Sequence, residues 1–264
     1  MSLLSPADPP PFEEISGRAP LLLVCDHASN RVPAALSGLG LPRARLAEHI
    51  AVDIGAAAVT RLLRPALDAS AILAGYSRLV IDCNRALDDP SSIPAASDGI
   101  AIPGNRDLSP GGRDARRAEI FTPYHAAIAR CLFAMPSVPA LIAIHSFTPV
   151  MADFVRPWHI GVLWADDPRI AVPLLAALSD EPGLVVGDNE PYSAREPRGY
   201  TVFRHAHGPG LPHVAVEIRQ DLIADAAGAL EWAKRLARLL APILAEATLY
   251  RAAPRGADGS GAPA

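Results

Sequence analysis

The feature that most constrains this chain is a series of short apolar runs, each the length of a β-strand, alternating with segments of helical periodicity. The runs are almost continuously apolar, which is typical of strands buried on both faces of a largely parallel sheet. The helical segments would cover both faces of that sheet, so we predict one α/β domain. The predicted strands are residues 21–25, 79–83, 140–145, 159–164, 183–187 and 213–218, and the predicted helices are residues 53–67, 112–135, 168–180 and 226–247.

The ends of the chain differ in composition from the rest, so we predict that the domain spans residues 20–249. Residues 1–19 are rich in proline and acidic residues, which predicts a flexible lead-in, and residues 250–264 are predicted to be a disordered tail. With 264 residues, half of them apolar, the chain has enough material for one large core. Residues 86–112 show no periodicity, and so long a loop in a compact domain is usually functional or mobile.

Charge, cysteine spacing and hydrophobic length exclude several classes of function. The formal net charge of −4 gives no reason to expect nucleic acid or a membrane as a partner. The three cysteines form no C-x-x-C pair, so neither a disulfide framework nor a thiolate metal site is indicated. The N-terminus does not have the pattern of a signal peptide, and no apolar stretch reaches the roughly 20 residues that cross a bilayer. We therefore expect a reduced, soluble protein of the cytoplasm, and the sequence leaves its oligomeric state open.

Polar side chains stand at the ends of four predicted strands. Ligands bind to open α/β sheets in the crevice beyond the carboxyl ends of the strands. Because parallel strands place these ends at one edge, we expect the polar side chains to converge there. They are His27, Asn84, Arg85, His145, Glu217 and Arg219.

Two of these residues suggest a metal site. His27 alone is equally well interpreted as a turn residue, and His145 alone as a core residue, but together at equivalent strand ends they favour a metal ion. A catalytic zinc ion typically takes three protein ligands from histidine and carboxylate groups. The third ligand stays open between Asp53, which alternatively begins a helix as an N-terminal acid, and the weaker candidates His49 and Asn30.

An acid and three arginines complete the candidate site. Glu217 lies in an apolar strand, where a carboxylate is costly unless it is paired. It is either a partner in a buried ion pair or a general base, and beside two candidate zinc ligands we favour the base. Arg78, Arg85 and Arg219 flank the strands, and an arginine fork binds both oxygens of a carboxylate. More than one such arginine predicts an acidic substrate.

Other motifs are weaker. Neither Ser29 nor Ser146 lies in a G-x-S-x-G motif, which disfavours a serine hydrolase. The stretch GNRDLSPGG lacks the pattern of a phosphate-binding loop. His125 lies on a predicted helix and is interpreted as packed or solvated, whereas His205 deserves a test.

Five motifs together resemble one family. VCDHASNRVP, HIAVDIGA, SRLVIDCNR, IHSFTP and VEIRQDLI, in this order and spacing, are similar to the N-formylglutamate amidohydrolase family. The resemblance runs from about Leu21 to the final helix. This family is similar in architecture to zinc carboxypeptidases and aspartoacylases. The resemblance therefore implies a mixed, mostly parallel β-sheet between helices, with one Zn²⁺ ion.

The resemblance also implies roles for individual residues. His27 and His145 would be metal ligands, and Glu217 would be the general base. The related carboxypeptidases carry H-x-x-E where this chain has HASN, and we choose Asp53 as the third ligand. Arg85 would also stabilise the oxyanion of the reaction. The residues implied to hold the substrate carboxylates are Asn84, Arg85, Arg78 and Arg219.

The resemblance implies hydrolysis of N-formyl-L-glutamate to formate and L-glutamate, as in histidine breakdown. One alternative is a zinc enzyme that acts on another N-acyl amino acid or on a peptide. A second alternative is a catalytically silent protein that binds a metal ion or an acidic metabolite.

Overall fold

A computed structural model describes residues 2–195 and 199–251 of the chain. Its centre is a seven-stranded sheet in the order β1-β3-β2-β6-β11-β9-β10, and two short hairpins, β4–β5 and β7–β8, lie outside it. The strands are β1 Phe12–Ile15, β2 Leu21–Cys25, β3 Ser70–Ala74, β4 Ala96–Ser97, β5 Ile100–Ala101, β6 Ala140–Phe147, β7 Val150–Met151, β8 Phe154–Val155, β9 Ile160–Leu163, β10 Val186–Asp188 and β11 His213–Arg219.

The sheet is mixed and mostly parallel. Its central strands β3, β2, β6 and β11 run in one direction. Strand β1 is antiparallel to β3 at one edge, while β9 is antiparallel to β11 and pairs in parallel with β10 at the other. The predicted α/β fold with one mixed sheet is therefore confirmed.

Helices cover both faces of the sheet, so the strands are buried from both sides. In β2, Leu21, Leu23 and Cys25 pack into the core under α2, α5 and α7, whereas Leu22 and Val24 pack into the core under α4. This two-sided burial explains why the run LLLVC contains no polar residue. The helices are α1 Arg43–Leu46, α2 Ala56–Ala66, α3 Pro110–Arg116, α4 Thr122–Ala134, α5 Pro168–Ser179, α6 Tyr200–Val202 and α7 Ala226–Leu244.

The predicted strand at residues 79–83 is wrong, because the strand in this region is β3, Ser70–Ala74. Residues 79–83 are buried without joining the sheet, since side chains satisfy their backbone groups. The carbonyl oxygen of Leu79 accepts a hydrogen bond from Asn105 at 2.8 Å, and that of Val80 accepts one from Arg116 at 3.0 Å. An apolar run that is buried in this way looks like a strand in sequence.

The two ends of the chain differ from the expectation in different ways. No strand was predicted in residues 1–19, yet Phe12–Ile15 forms β1 and pairs with Ala71–Ala74. This part of the expected lead-in is therefore held in the sheet. Residues 252–264, most of the predicted disordered tail, lie outside the described residues. Among the helices described, none has the length and apolar character that crossing a membrane requires.

Candidate metal centre

Three buried side chains from separate parts of the chain converge at the carboxyl edge of the sheet. His27 follows β2, His145 lies on β6, and Asp53 precedes α2. Oδ2 of Asp53 lies 2.9 Å from Nδ1 of His145 and 3.2 Å from Nδ1 of His27. One donor atom from each residue lies within 4.8 Å of the other two, so the three residues could hold a metal ion.

Backbone contacts hold Asp53 in place. Its N–H donates to the carbonyl oxygen of His27 at 3.0 Å, and its Oδ2 accepts from the N–H of Ser146 at 3.4 Å. The N-cap of α2 is Gly55, at a φ of 81°, and no side chain caps the helix. A Cβ atom on Gly55 would lie 2.2 Å from the carbonyl oxygen of Ile223, so only glycine fits here. Asp53 is thus free of the capping role considered from the sequence.

Carboxylates also contact the outer nitrogen of each imidazole. Nε2 of His27 is hydrogen-bonded to Oδ1 of Asp82 at 2.8 Å, and Nε2 of His145 makes an ion-pair contact with Oδ2 of Asp26 at 3.2 Å. Carboxylates in these positions orient metal-binding histidines and leave the other nitrogen for the ion. The sequence interpretation missed both acids. The available signal was a single acid at the end of each apolar run, VCD and VID.

The charges in the cluster stabilise one another. Burial opposes ionisation of Asp53, but His27 and His145 hold the pKa of its carboxyl far below its usual value. Burial likewise opposes ionisation of Asp82, whose pKa is held low by Arg78, with Nη2 2.8 Å from Oδ2, and by His27. Burial lowers the pKa of His145, but Asp26 and Asp53 outweigh this and raise it well above its usual value.

These donors fit a zinc ion in chemistry and spacing. Two imidazole nitrogens and one carboxylate oxygen form a typical ligand set of a catalytic zinc site, which keeps a fourth position for water. Tetrahedral ligands about 2.0 Å from zinc lie about 3.3 Å from one another. The separations of 2.9 and 3.2 Å between Asp53 and the two imidazoles are close to that value.

Glu217 lies beside the cluster. It occupies β11 at the position that pairs with His145 on β6, so the strand register brings the two residues together. Its side chain is buried, and its Oε2 has no hydrogen-bond partner in the described chain. Burial raises the pKa of Glu217 to about 7. A buried carboxyl group with a free oxygen and this pKa can take up and release a proton near neutral pH.

The cluster opens into a cavity of about 690 Å³. The cluster residues and Glu217 line it together with aromatic side chains such as Trp164, Tyr192 and Phe203. Ser97 and Asp98 contribute from the predicted long loop, 86–112. A cavity of this volume, mostly apolar with a few convergent polar groups, is typical of a small-molecule site.

Three of the four predicted carboxylate-binding residues, Arg78, Asn84 and Arg85, line this cavity. Oδ1 of Asn84 accepts from the N–H of Thr201 at 3.0 Å, and Nη1 of Arg85 donates to the carbonyl oxygen of Asn84 at 3.0 Å. Arg219 is not part of the lining. Its Nε donates instead to Oδ1 of Asp221 at 2.8 Å.

The other candidate histidines and Asn30 stay outside the cluster. Asn30 is exposed. His49 lines the cavity, with Nε2 3.3 Å from Oδ2 of Asp98. His125 is buried, as one interpretation of the sequence expected, and its Nδ1 lies 2.9 Å from Nε2 of His205. The site therefore contains, of the candidate ligands, only His27, Asp53 and His145.

Comparison with known proteins places this geometry in a family. Residues 19–224 match the family N-formylglutamate amidohydrolase. A gene product from Agrobacterium tumefaciens, known from its crystal structure, is 35% identical with a TM-score of 0.88, over 92% of this chain and 98% of that one. N-formylglutamate amidohydrolase from Ralstonia eutropha JMP134 is 19% identical with a TM-score of 0.63, over 89% of this chain and 97% of that one, which supports the fold alone. No curated protein sequence matches the chain. The family match spans most of the chain and includes the five motifs. The chain therefore belongs to the N-formylglutamate amidohydrolase family.

Proposed function

We propose that the protein is a zinc-dependent amidohydrolase that cleaves N-formyl-L-glutamate to formate and L-glutamate. The observation that carries this proposal is the buried His27–Asp53–His145 cluster, which lies beside Glu217 at one end of a cavity of ligand size. Family membership supports the amidohydrolase chemistry. Action in histidine breakdown and a cytoplasmic location stay predictions.

His27, Asp53 and His145 are the residues that would hold the zinc ion. When bound, zinc lowers the pKa of a water molecule to about 7 and polarises the carbonyl group of the amide. Asp82 and Asp26 keep the two imidazole rings turned so that their Nδ1 atoms face Asp53. Arg78 in turn holds Asp82, with Nε 3.1 Å from Oδ2.

Glu217 moves the proton in this mechanism. Its free Oε2 accepts a proton from the attacking water, and the same group then delivers that proton to the leaving amine. A pKa of about 7 suits both steps, because the carboxyl group changes its protonation at little cost near neutral pH. The burial of Glu217 is therefore part of its function.

The arginine and asparagine side chains in the cavity lining would bind the substrate carboxylate next to the scissile amide. We assign this contact to Asn84 and Arg85, and we assign stabilisation of the oxyanion to Arg85. Arg78 adds positive charge while it stays paired with Asp82. Arg219 is paired with Asp221 away from the lining, so we expect it to contribute least of the four predicted residues.

The test combines metal analysis with formate release. We expect one zinc ion per chain and release of formate from N-formyl-L-glutamate. Glu217→Gln should keep the metal and lose about 10²–10⁴-fold in kcat, the usual contribution of a general base. Glu231→Gln makes the same chemical change at a side chain that is 66% exposed and should leave both unchanged. An active Glu217→Gln enzyme would contradict the assigned role.

A second candidate is hydrolysis of a larger N-acyl amino acid, which the size of the cavity favours. The volume of about 690 Å³ is in the range of pockets that hold drug-sized ligands, which are larger than N-formylglutamate. A panel of N-formyl, N-acetyl and N-benzoyl glutamate distinguishes the two candidates. Higher kcat/KM for the bulky acyl groups would favour the second.

A further inference from the structure

Arg156 is a buried cation whose charge no carboxylate balances in the described part of the chain. It lies between β8 and β9 and is 6% exposed. Its Nη1 donates to the carbonyl oxygen of Thr148 at 3.3 Å and to Oγ1 of Thr148 and the hydroxyl of Tyr192, both at 3.2 Å, and its Nη2 donates to Sδ of Met151 at 2.9 Å. Burying an ion is costly unless strong partners compensate it, and a thioether is a weak acceptor.

A second buried arginine shows what a purely structural guanidinium looks like in this fold. Nη1 of Arg116 donates to Oδ1 of Asn105 at 2.7 Å and to the carbonyl oxygen of Val80 at 3.0 Å, and Nη2 donates to that of Gly104 at 3.2 Å. All three acceptors are oxygens, Nε of Arg116 has no partner in the described chain, and none of these residues lines the cavity. Arg156 differs from Arg116 in two respects: its partners line the cavity, and one of them is a thioether sulfur.

The neighbours of Arg156 place it at the cavity wall. Thr148, Met151 and Tyr192 all line the cavity. The guanidinium carbon lies 5.0 Å from the ring centroid of Tyr192 and 5.7 Å from that of Phe147, another lining residue. Met151, a flexible side chain, therefore both contacts the guanidinium and lines the cavity.

We propose that Arg156 and the Tyr192 hydroxyl form a carboxylate subsite, which receives the side-chain carboxylate of the substrate when Met151 moves off the guanidinium. A carboxylate accepts both forked N–H groups, so it would replace the thioether with a stronger partner. The inference rests on the proposed function, and it assigns the second carboxylate of an N-acyl acidic amino acid.

The position of Arg156 fits this carboxylate rather than the one beside the amide. Arg78 lies 3.6 Å from Oδ1 of Asp53, so it belongs to the metal cluster. Arg156, by contrast, contacts none of the three candidate ligands, and its partners lie past the end of β6 and after β10. The substrate group farther from the scissile bond therefore matches the cation farther from the cluster.

The first test compares N-formyl-L-glutamate with N-formyl-L-glutamine, in which a neutral amide replaces the side-chain carboxylate. The wild-type enzyme should prefer the acid by about 10- to 100-fold in kcat/KM, the range of a charge-assisted hydrogen bond. Arg156→Gln should abolish this preference, because kcat/KM falls much further for the glutamate substrate than for the glutamine substrate. Equal losses on both substrates would show a structural role and overturn the proposal.

Met151→Leu provides a variant that keeps Arg156 and conserves volume, so it is expected to fold. Removing the competing sulfur should raise the preference for the acid. An unchanged preference would contradict the proposal that Met151 occupies the guanidinium until the substrate carboxylate replaces it.

A calorimetric comparison of the binding of glutarate and of its monoamide tests the subsite independently of catalysis. If the wild-type enzyme hydrolyses neither substrate, the proposed function fails. The subsite then stands if glutarate binds preferentially and Arg156→Gln removes that preference, and it falls otherwise.

Discussion

Two pairs of buried histidines lie at the same spacing and have opposite electrostatic environments. The ring centroids of His27 and His145 are 5.2 Å apart, and so are those of His125 and His205. Carboxylates surround the first pair. In the second pair, Nε2 of His125 donates to the carbonyl oxygen of Cys83 at 2.9 Å, so its Nδ1 accepts from His205. Burial lowers the pKa of both His125 and His205 to about 4.

The difference indicates that two close imidazoles are not enough to predict a metal site. His27 and His145 differ from the other pair in their contacts with carboxylates. Asp53 contacts Nδ1 of both rings, and a second carboxylate contacts Nε2 of each ring. A cation is stabilised where buried carboxylates are in contact with the ligands, and in the described chain no carboxylate contacts His125 or His205. The predictions below test this contrast in order of decreasing effect.

Removing one imidazole from the charged pair should have the largest effect. We expect His145→Ala to lose most of the bound metal and roughly 10³-fold or more in kcat/KM, because the metal supplies several kcal/mol of transition-state stabilisation. His205→Ala truncates the matching ring of the neutral pair, and this variant should keep the metal bound at the His27–Asp53–His145 cluster. Metal analysis and formate release on both variants check this, and equal metal loss in the two would remove the contrast.

Removing the carboxylate that contacts Nε2 of His27 should have an intermediate effect on metal binding. Asp82→Asn should weaken metal affinity by about 10- to 100-fold, since His27 loses the carboxylate that orients it. Competition with a chelator measures the affinity. Asp68→Asn is a matched control at a half-exposed carboxylate that pairs with Arg18. If Asp82→Asn bound metal as tightly as this control, the acid would have no role in the site.

The neutral pair should make stability depend on pH. The unfolded chain protonates histidine below about pH 6.5, whereas the folded pair resists protonation down to about pH 4. The contribution of this pair to stability is therefore fully present well above pH 6.5 and is lost as the pH falls towards 4. His205→Gln should reduce the loss between pH 7 and pH 5 by about 2 kcal/mol, as measured by urea unfolding. An identical loss in the variant and the wild type would contradict the lowered pKa.

The smallest effect is expected at an isolated histidine on the cavity wall. His49 pairs with Asp98 at a position where both side chains are partly exposed. His49→Gln should keep full metal content and change the free energy of unfolding by less than about 0.5 kcal/mol. Metal loss in this variant would make His49 a ligand and would show that one acid beside one imidazole is enough.

The sequence predicted that His27, His145 and Glu217 lie close together, because the strand topology alone brings them to one edge of the sheet. His27, His145 and Glu217 stand at the ends of runs that became β2, β6 and β11, and parallel pairing sets them side by side. Asp53 was chosen among alternatives on donor chemistry, since no strand carries it. The family motifs then predicted the amidohydrolase class, which the family match confirms.

The surroundings of the site were not predictable in the same way. The orienting role of Asp82 depends on residues 79–83 folding outside the sheet, whereas the pattern favoured a strand. Arg156 belongs to none of the sequence motifs. Its burial among neutral hydrogen-bond partners, which only the structure reveals, makes it a candidate binding residue. β1 lies in a proline-rich, acidic stretch whose composition masks an edge strand. Long-range packing, which leaves no periodic trace, decides all three.

The anchoring of residues 79–83 has a consequence for protein engineering. This segment contains Asp82 and leads directly into Asn84 and Arg85. Hydrogen bonds from Asn105 and Arg116 hold it against the layer around α3. A designer who grafted the motifs of the candidate site onto another parallel sheet would import the candidate ligands but lose these supporting contacts. The graft would have to include these two distant side chains as well, although neither touches the chemistry.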